Sequence, residues 1–249
     1  MSRADRAIVQ FGAEGVEESP PPSPSPSFTG QPWLPLVFAY LGTADLFRFR
    51  GVSREGRCQV DDYCRRLSRL ELSDTAKTRF SWAHFQLITR HNNACLRSLS
   101  LVDVSWVDED DFACFLRRQP RLHSVDLSRA YRISNATLLT LAQTCPAVER
   151  LHLRHCSWLS EATFLQMITH HPQCGLQQLV EVDLSSCWNL TDHSIGLLFT
   201  THGSTLRRVT LAGLYSLTDE WTVDIDSRAS CLTYLDISSC WRMTDSAIE

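Results

Sequence analysis

Leu179-Val-Glu-Val-Asp-Leu-Ser-Ser-Cys187-Trp188-Asn-Leu190-Thr191-Asp192 returns near the end of the chain as Leu232-Thr-Tyr-Leu-Asp-Ile-Ser-Ser-Cys240-Trp241-Arg-Met243-Thr244-Asp245. Weaker copies start at Leu96, Leu122, Val148 and Leu206, so consecutive starts lie 26, 26, 31, 27 and 26 residues apart. Self-similarity at such a period predicts a stacked solenoid, each turn contacting only its neighbours. Inside each copy an apolar pair alternates with polar residues: Leu99/Leu101, Val125/Leu127, Leu151/Leu153, Val182/Leu184, Val209/Leu211 and Leu235/Ile237. That is the period of a short strand with one face turned inward. Leu67-Ser-Arg-Leu70-Glu-Leu72 reads as a first strand of the same kind. Between strands, text such as Ala136-Thr-Leu138-Leu139-Thr-Leu141-Ala142 places apolar residues at helical spacing. Parallel strands covered by helices on one side give an α/β horseshoe.

The pattern L-x-x-L-x-L-x-x-C resembles the leucine-rich repeat in its cysteine-containing variety. The resemblance implies a solenoid with a curved parallel sheet inside and helices outside. Cys156, Cys187 and Cys240 share one slot, where the chain leaves the strand and bends inward. A small, weakly polar side chain suits that turn. Ala130 and Leu214 fill the slot elsewhere, so a thiol is not required there. The pairs Thr191-Asp192, Thr218-Asp219 and Thr244-Asp245 precede helices and should cap them, as should Ser134-Asn135 and Ser160-Glu161.

Composition excludes several classes of function. The 249 residues are 43% apolar and 21% charged with a net charge of −4, and mean hydropathy is −0.16. A mildly acidic chain offers nucleic acid or an anionic membrane no electrostatic footing. No apolar run reaches the length of a membrane span, and the first thirty residues contain no signal-peptide core. The ten cysteines follow the repeat and include no C-x-x-C pair. They read as reduced thiols in a cytoplasmic or nuclear protein, with no metal site. Neither a phosphate-binding glycine loop nor a nucleophile–base set is present, so neither a cofactor nor catalysis by this chain is expected. His152, His155 and Cys156 are close in sequence, but His152 should face the concave side while Cys156 turns inward.

Before the repeats the text changes twice. Residues 1–30 lack hydrophobic periodicity and contain Ser19-Pro-Pro-Pro-Ser23-Pro-Ser25-Pro-Ser27, a composition expected to be disordered with polyproline II character. Ser19, Ser23 and Ser25 each precede proline and suit proline-directed kinases. Residues 31–66 then read as short helices with closely spaced breaks, too short to fold without docking on something. Leu34-Pro35, Val37-Phe38-Ala39-Tyr40-Leu41, Asp45-Leu46 and Val52-Ser53-Arg54 resemble the F-box, the three-helix module that inserts into the Skp-family adaptor of cullin–RING ubiquitin ligases. Gly56 stands where that family commonly has tryptophan. An F-box immediately before leucine-rich repeats is the arrangement of the F-box/leucine-rich-repeat family. The implied organisation is a tail over 1–30, an F-box-like module over 31–66 and repeats over 67–249, the last incomplete and expected to fray. The resemblance further implies a non-catalytic substrate-recognition subunit of an SCF-type ligase. Leu34, Pro35, Val37, Phe38, Leu41, Leu46 and Val52 would meet the adaptor, itself joined to a cullin scaffold. The alternative is a repeat scaffold with no ligase link, its helical module serving as an N-terminal cap.

A protein target would be held on the faces left over. Concave positions include Arg150, His152 and Arg154 on one rung and Glu181, Asp183 and Ser185 on the next. Those charges either neutralise one another across strands or select a partner by complementarity. Along the rim after the cysteine slot run Tyr131, Trp158, Trp188, Tyr215 and Trp241, with Trp106 earlier. Rings of this type dominate protein–protein hot spots, or they stack on one another to seal the loops. Arg150, His152, Arg154, Asp183, Trp158, Trp188, Tyr215 and Trp241 are therefore the candidate target-binding residues, the target itself being unknown.

Overall fold

The alternating apolar pairs form one seven-stranded parallel sheet, its strands in chain order. They are β1 (Arg69–Ser73), β2 (Ser98–Val102), β3 (Ser124–Asp126), β4 (Arg150–His152), β5 (Glu181–Asp183), β6 (Arg208–Thr210) and β7 (Tyr234–Asp236). The structure, a computed structural model, describes residues 43–73, 81–90, 95–169, 175–223 and 225–244. The proline-rich tail, and with it Leu34, Pro35, Val37, Phe38 and Leu41, lies outside the described residues.

Register carries the sequence pattern directly into the core. Leu70, Leu99, Val125, Leu151, Val182, Val209 and Leu235 stand side by side across the sheet. Two residues on, Leu72, Leu101, Leu127, Leu153, Leu184 and Leu211 are buried as well. Each such side chain contributes on the order of 1.5–3 kcal/mol by leaving water. The seventh turn differs: Leu235, on the last of the described strands, is 36% exposed.

Helices cover the face of the sheet to which these inward side chains point. Two precede it, α1 (Thr43–Val52) and α2 (Arg54–Arg65); then come α3 (Trp82–Thr89), α4 (Glu109–Leu116), α5 (Asn135–Thr144), α6 (Glu161–Ile168) and α7 (Asp192–His202). A 3-10 helix (Asp219–Thr222) and the four-residue α8 (Ile225–Arg228) close the sixth turn. Leu138 and Leu141, Phe164 and Ile168, and Ile195 and Phe199 turn inward at helical spacing and are buried.

After β2 to β7 the chain leaves each strand through one left-handed residue. Asp103, Arg129, His155, Ser186, Gly213 and Ser239 have φ between 57° and 71°. For residues other than glycine this conformation costs roughly 1–2 kcal/mol. It is held because the backbone N–H is spent on the next turn: Arg129 donates to Arg154 O (2.9 Å), His155 to Ser185 O (2.8 Å) and Gly213 to Ser238 O (2.8 Å). Ser239 sits in the same conformation on the last turn.

The two helices before β1 share the core of the repeats. Leu46, Val60 and Cys64 belong to the same buried cluster as the inward leucines. Ser53 caps α2 by accepting from Gly56 N (2.9 Å). Arg50 and Asp61 tie α1 to α2 through Nε–Oδ1 at 2.9 Å, with both side chains largely shielded. Gly56 lies at the close approach of the two helices, where an added Cβ would fall 2.8 Å from Phe49 O. A larger side chain at this position would have to displace that backbone.

Candidate functional site

Adjacent residues in the strand-exit loop are treated in opposite ways. In the slot, Cys156, Cys187 and Cys240 are buried, as are Ala130 and Leu214. The Cys187 thiol donates to Leu153 O of the preceding turn (3.0 Å), Cys156 to Leu127 O (3.3 Å) and Cys240 to Leu211 O (3.3 Å). Burial pushes the Cys156 thiol up to about 12 and the Cys187 thiol higher still. These sulfurs are proton-bearing packing groups, not nucleophiles.

The next residue faces solvent. Tyr131 is 61% exposed, Trp188 55%, Tyr215 51% and Trp241 79%. Among the described residues no ring contact joins these four, whereas Trp82, Phe85, Trp106, Phe112 and Phe115 are packed ring against ring beneath the early repeats. Of the two roles open to the rim rings, mutual stacking is therefore not the one adopted. Trp158 departs from the column. It stands two residues after its slot instead of one, is half-buried against the core, and its indole Nε1 is enclosed without a hydrogen-bond partner. Trp106 occupies that same later position in its own turn, after Val104.

The concave face brings the predicted charged rungs together. The register aligns Asp126, His152 and Asp183 in one column and Arg150, Glu181, Arg208 and Tyr234 in another. His152 lies between two carboxylates, Nε2 at 3.4 Å from Glu181 Oε1 and Nδ1 at 4.0 Å from Asp126 Oδ2. Arg208 approaches Glu181 (3.7 Å) and lies over the Tyr234 ring (4.6 Å to its centroid). Asp183 turns back to accept from Ser185 N (2.9 Å) and Oγ (2.5 Å), which leaves Ser185 buried. Arg150 and Arg154 remain exposed. Burial, together with the neighbouring Arg129 and Arg154, holds His155 below the ordinary imidazole value. The Glu181 carboxylate is thus approached from two sides by Arg208 and His152 in the middle of the face, while Arg150 and Arg154 stay exposed.

In the helical module, Val52 is 79% exposed, whereas Leu46 is buried among the core residues. Leu46 is committed to packing here, so only Val52 of the two presents an apolar surface to a partner.

One feature has a weaker signal in the sequence. The first member of the capping pair caps its own helix at Ser134, which accepts from Ala136 N (3.2 Å), and at Ser160, which accepts from Thr163 N (3.3 Å). The second member instead holds the next turn's cap. Asp192 accepts from Thr218 N and Oγ1 (both 2.8 Å), and Asp219 from Thr244 N (2.8 Å) and Oγ1 (2.6 Å). Asn135 accepts from Ser160 N (3.0 Å), and Glu161 from the Thr191 hydroxyl. Glu109 begins the series at Ser134 and Thr137; burial there opposes ionisation, but those hydrogen bonds outweigh it and its carboxyl is held below the ordinary range. The recurrence of an acid or amide one turn ahead of a Ser/Thr was the available clue.

Among the described residues no helix is long and apolar enough to cross a membrane, and no group of three or more His, Cys, Asp or Glu residues is placed to hold a metal.

Sheet, register and strand-exit turn define the α/β leucine-rich-repeat fold. No family model matches the sequence. Among solved structures, the fold is similar to a chain of the yeast complex of Rad7 and Elc1, with a TM-score of 0.62 and 20% identity over 79% of this chain and 49% of that one. It also matches the leucine-rich repeat-containing protein LegL7 from Legionella pneumophila, with a TM-score of 0.47 and 14% identity over 78% of this chain and 60% of that one. This chain spans about half the length of the Rad7–Elc1 chain it matches.

Proposed function

We propose that this chain is the substrate-recognition subunit of an SCF-type cullin–RING ubiquitin ligase. The helical module before β1 docks on a Skp-family adaptor, and the rim and concave face hold a target protein. The observation that carries the binding half of this reading is the column of exposed, unstacked rings at Tyr131, Trp188, Tyr215 and Trp241. The ligase half rests on the F-box-like text immediately ahead of the repeats. It is consistent with exposed Val52 at the end of α1, and with the bound protein Elc1 in the yeast structure of similar fold. On this reading the chain performs no bond chemistry. It raises the effective concentration of a target lysine near a charged ubiquitin-conjugating enzyme supplied by the other subunits.

A second reading, a repeat scaffold without ubiquitin transfer, is favoured by the way Leu46, Val60 and Cys64 continue the repeat core. A module so placed is a sufficient N-terminal cap. Co-purification of the full chain with adaptor and cullin separates the two. The ligase reading expects capture of both, and loss of capture on Val52→Asp with the thermal midpoint unchanged. Absence of adaptor from the wild-type preparation would establish the scaffold instead. Proteins retained under proteasome inhibition by the wild type but lost from a Trp188→Ala, Arg154→Glu variant would be the targets.

A further inference from the structure

The exposed rings have a spacing as well as a chemistry. Of the four exposed rings, Tyr131, Trp188 and Trp241 follow β3, β5 and β7, so each is two turns from the next, and Tyr215 follows β6 between the last two. Neighbouring strands are about 4.8 Å apart, which sets rings two turns apart at roughly 9.6 Å. One turn of a polyproline II helix, three residues at about 3.1 Å each, advances roughly 9.3 Å. Flat aromatic side chains at this interval are the surface on which proline rings pack, since a polyproline II strand is already extended and loses little entropy on binding. The ends of the row are basic: Arg132 follows Tyr131 and Arg242 follows Trp241, both exposed.

The sequence contains a segment of matching chemistry. Glu17-Glu18-Ser19-Pro20-Pro21-Pro22-Ser23-Pro24-Ser25-Pro26-Ser27 places acidic residues directly ahead of the prolines, and no Lys or Arg occurs between Arg6 and Arg48. Its reach is sufficient. From Ser27 to Thr43 the chain can span up to about 53 Å at about 3.3 Å per residue, while β1 to β7 is six strand spacings, roughly 29 Å.

We propose that the rim of Tyr131, Trp188 and Trp241, bounded by Arg132 and Arg242, is a polyproline II docking surface whose occupant is the chain's own Glu17–Ser27 segment. Tethering makes this contact intramolecular, at an effective concentration on the order of millimolar. The segment then shields the rim until a competing partner displaces it. The inference deepens the target-binding role given to the rim above, but does not depend on the link to ubiquitin.

The test uses the full chain labelled with 5-fluorotryptophan. It is compared with a full-length variant carrying alanine in place of Pro20, Pro21, Pro22, Pro24 and Pro26, all outside the repeats. The fluorine resonances of Trp188 and Trp241, assigned through Trp188→Phe and Trp241→Phe, are expected to shift in the proline variant while those of Trp158 and Trp221 stay in place. A synthetic peptide of residues 17–28 should restore the wild-type positions, and should bind the variant about tenfold or more tightly than it binds the wild type. Unchanged spectra, equal peptide affinity for both proteins, or peptide binding that survives Trp188→Ala with Trp241→Ala would each overturn the proposal. Adaptor capture is read separately, so failure here is distinct from failure of the ligase reading.

Discussion

Cys187 and Trp188 are neighbours in the chain and opposites in the fold. The thiol is buried and donates to the turn before it; the indole beside it is more than half exposed and touches no other rim ring. The same contrast holds at Cys240 and Trp241, and at Leu214 and Tyr215. A repeat therefore separates its duties by single residues: one position closes the stack, the next is left to meet another molecule. In a globule with one folded-back core the two duties compete for the same side chains. In a solenoid they occur in parallel columns and can vary independently.

Substitutions along the two columns can break or sharpen that contrast. The largest effect belongs to the strand itself: Leu184→Ala should lower stability by about 2–5 kcal/mol, because a buried leucine leaves a cavity that rigid neighbours fill poorly. Urea unfolding followed by far-UV circular dichroism measures it, and a loss under about 1 kcal/mol would mean the stack is looser than its burial shows. Next comes the carboxylate series between turns. Asp192→Ala removes both hydrogen bonds to Thr218 and should cost about 1 kcal/mol in the same assay, whereas Asp192→Asn, able to keep one acceptor, should cost less.

The cysteine slot gives a pH signature. The folded Cys156 thiol is raised from 9.0 to about 12, so the native state holds its proton where the unfolded chain has released it. Stability from this group is complete below pH 9 and declines as pH rises toward 12. Replacing Cys156 by alanine, the residue already tolerated at position 130, should flatten that decline; an unaltered alkaline profile would show that other groups cause it. The smallest stability effect is expected at the rim. Trp188→Ala should change the unfolding free energy by no more than about 0.5 kcal/mol while abolishing target retention. A large loss of stability would place Trp188 with the packing residues.

The regular parts of this architecture are legible in the sequence because they repeat. The inward pairs, the cysteine slot with Ala130 and Leu214 as substitutes, and the concave columns follow from a period of two laid over a period near 26. Individual departures are harder to see. A one-residue displacement sends Trp158 toward the core while Trp188 stays outside, and both look alike in a row of aromatic letters. Arg129 and His155 give no local sign of a left-handed backbone; only the neighbouring turn's carbonyl makes that conformation worthwhile. Leu46 illustrates a different gap: an apolar residue in a short helix fits a partner's groove or the chain's own core equally well, and here it is buried with the core of the repeats. Asp192 and Asp219 look like ordinary first-turn acids, and their second role depends on what stacks next.

The half-exposed Leu235 has a kinetic consequence. Among the described strands β7 pairs with β6 alone, and in the 249-residue chain amide exchange should be slow in the middle strands and quicken toward it. Trp241 rides on that loosely held turn, and any partner gripping its ring would act as a clamp, slowing exchange at amides it never touches.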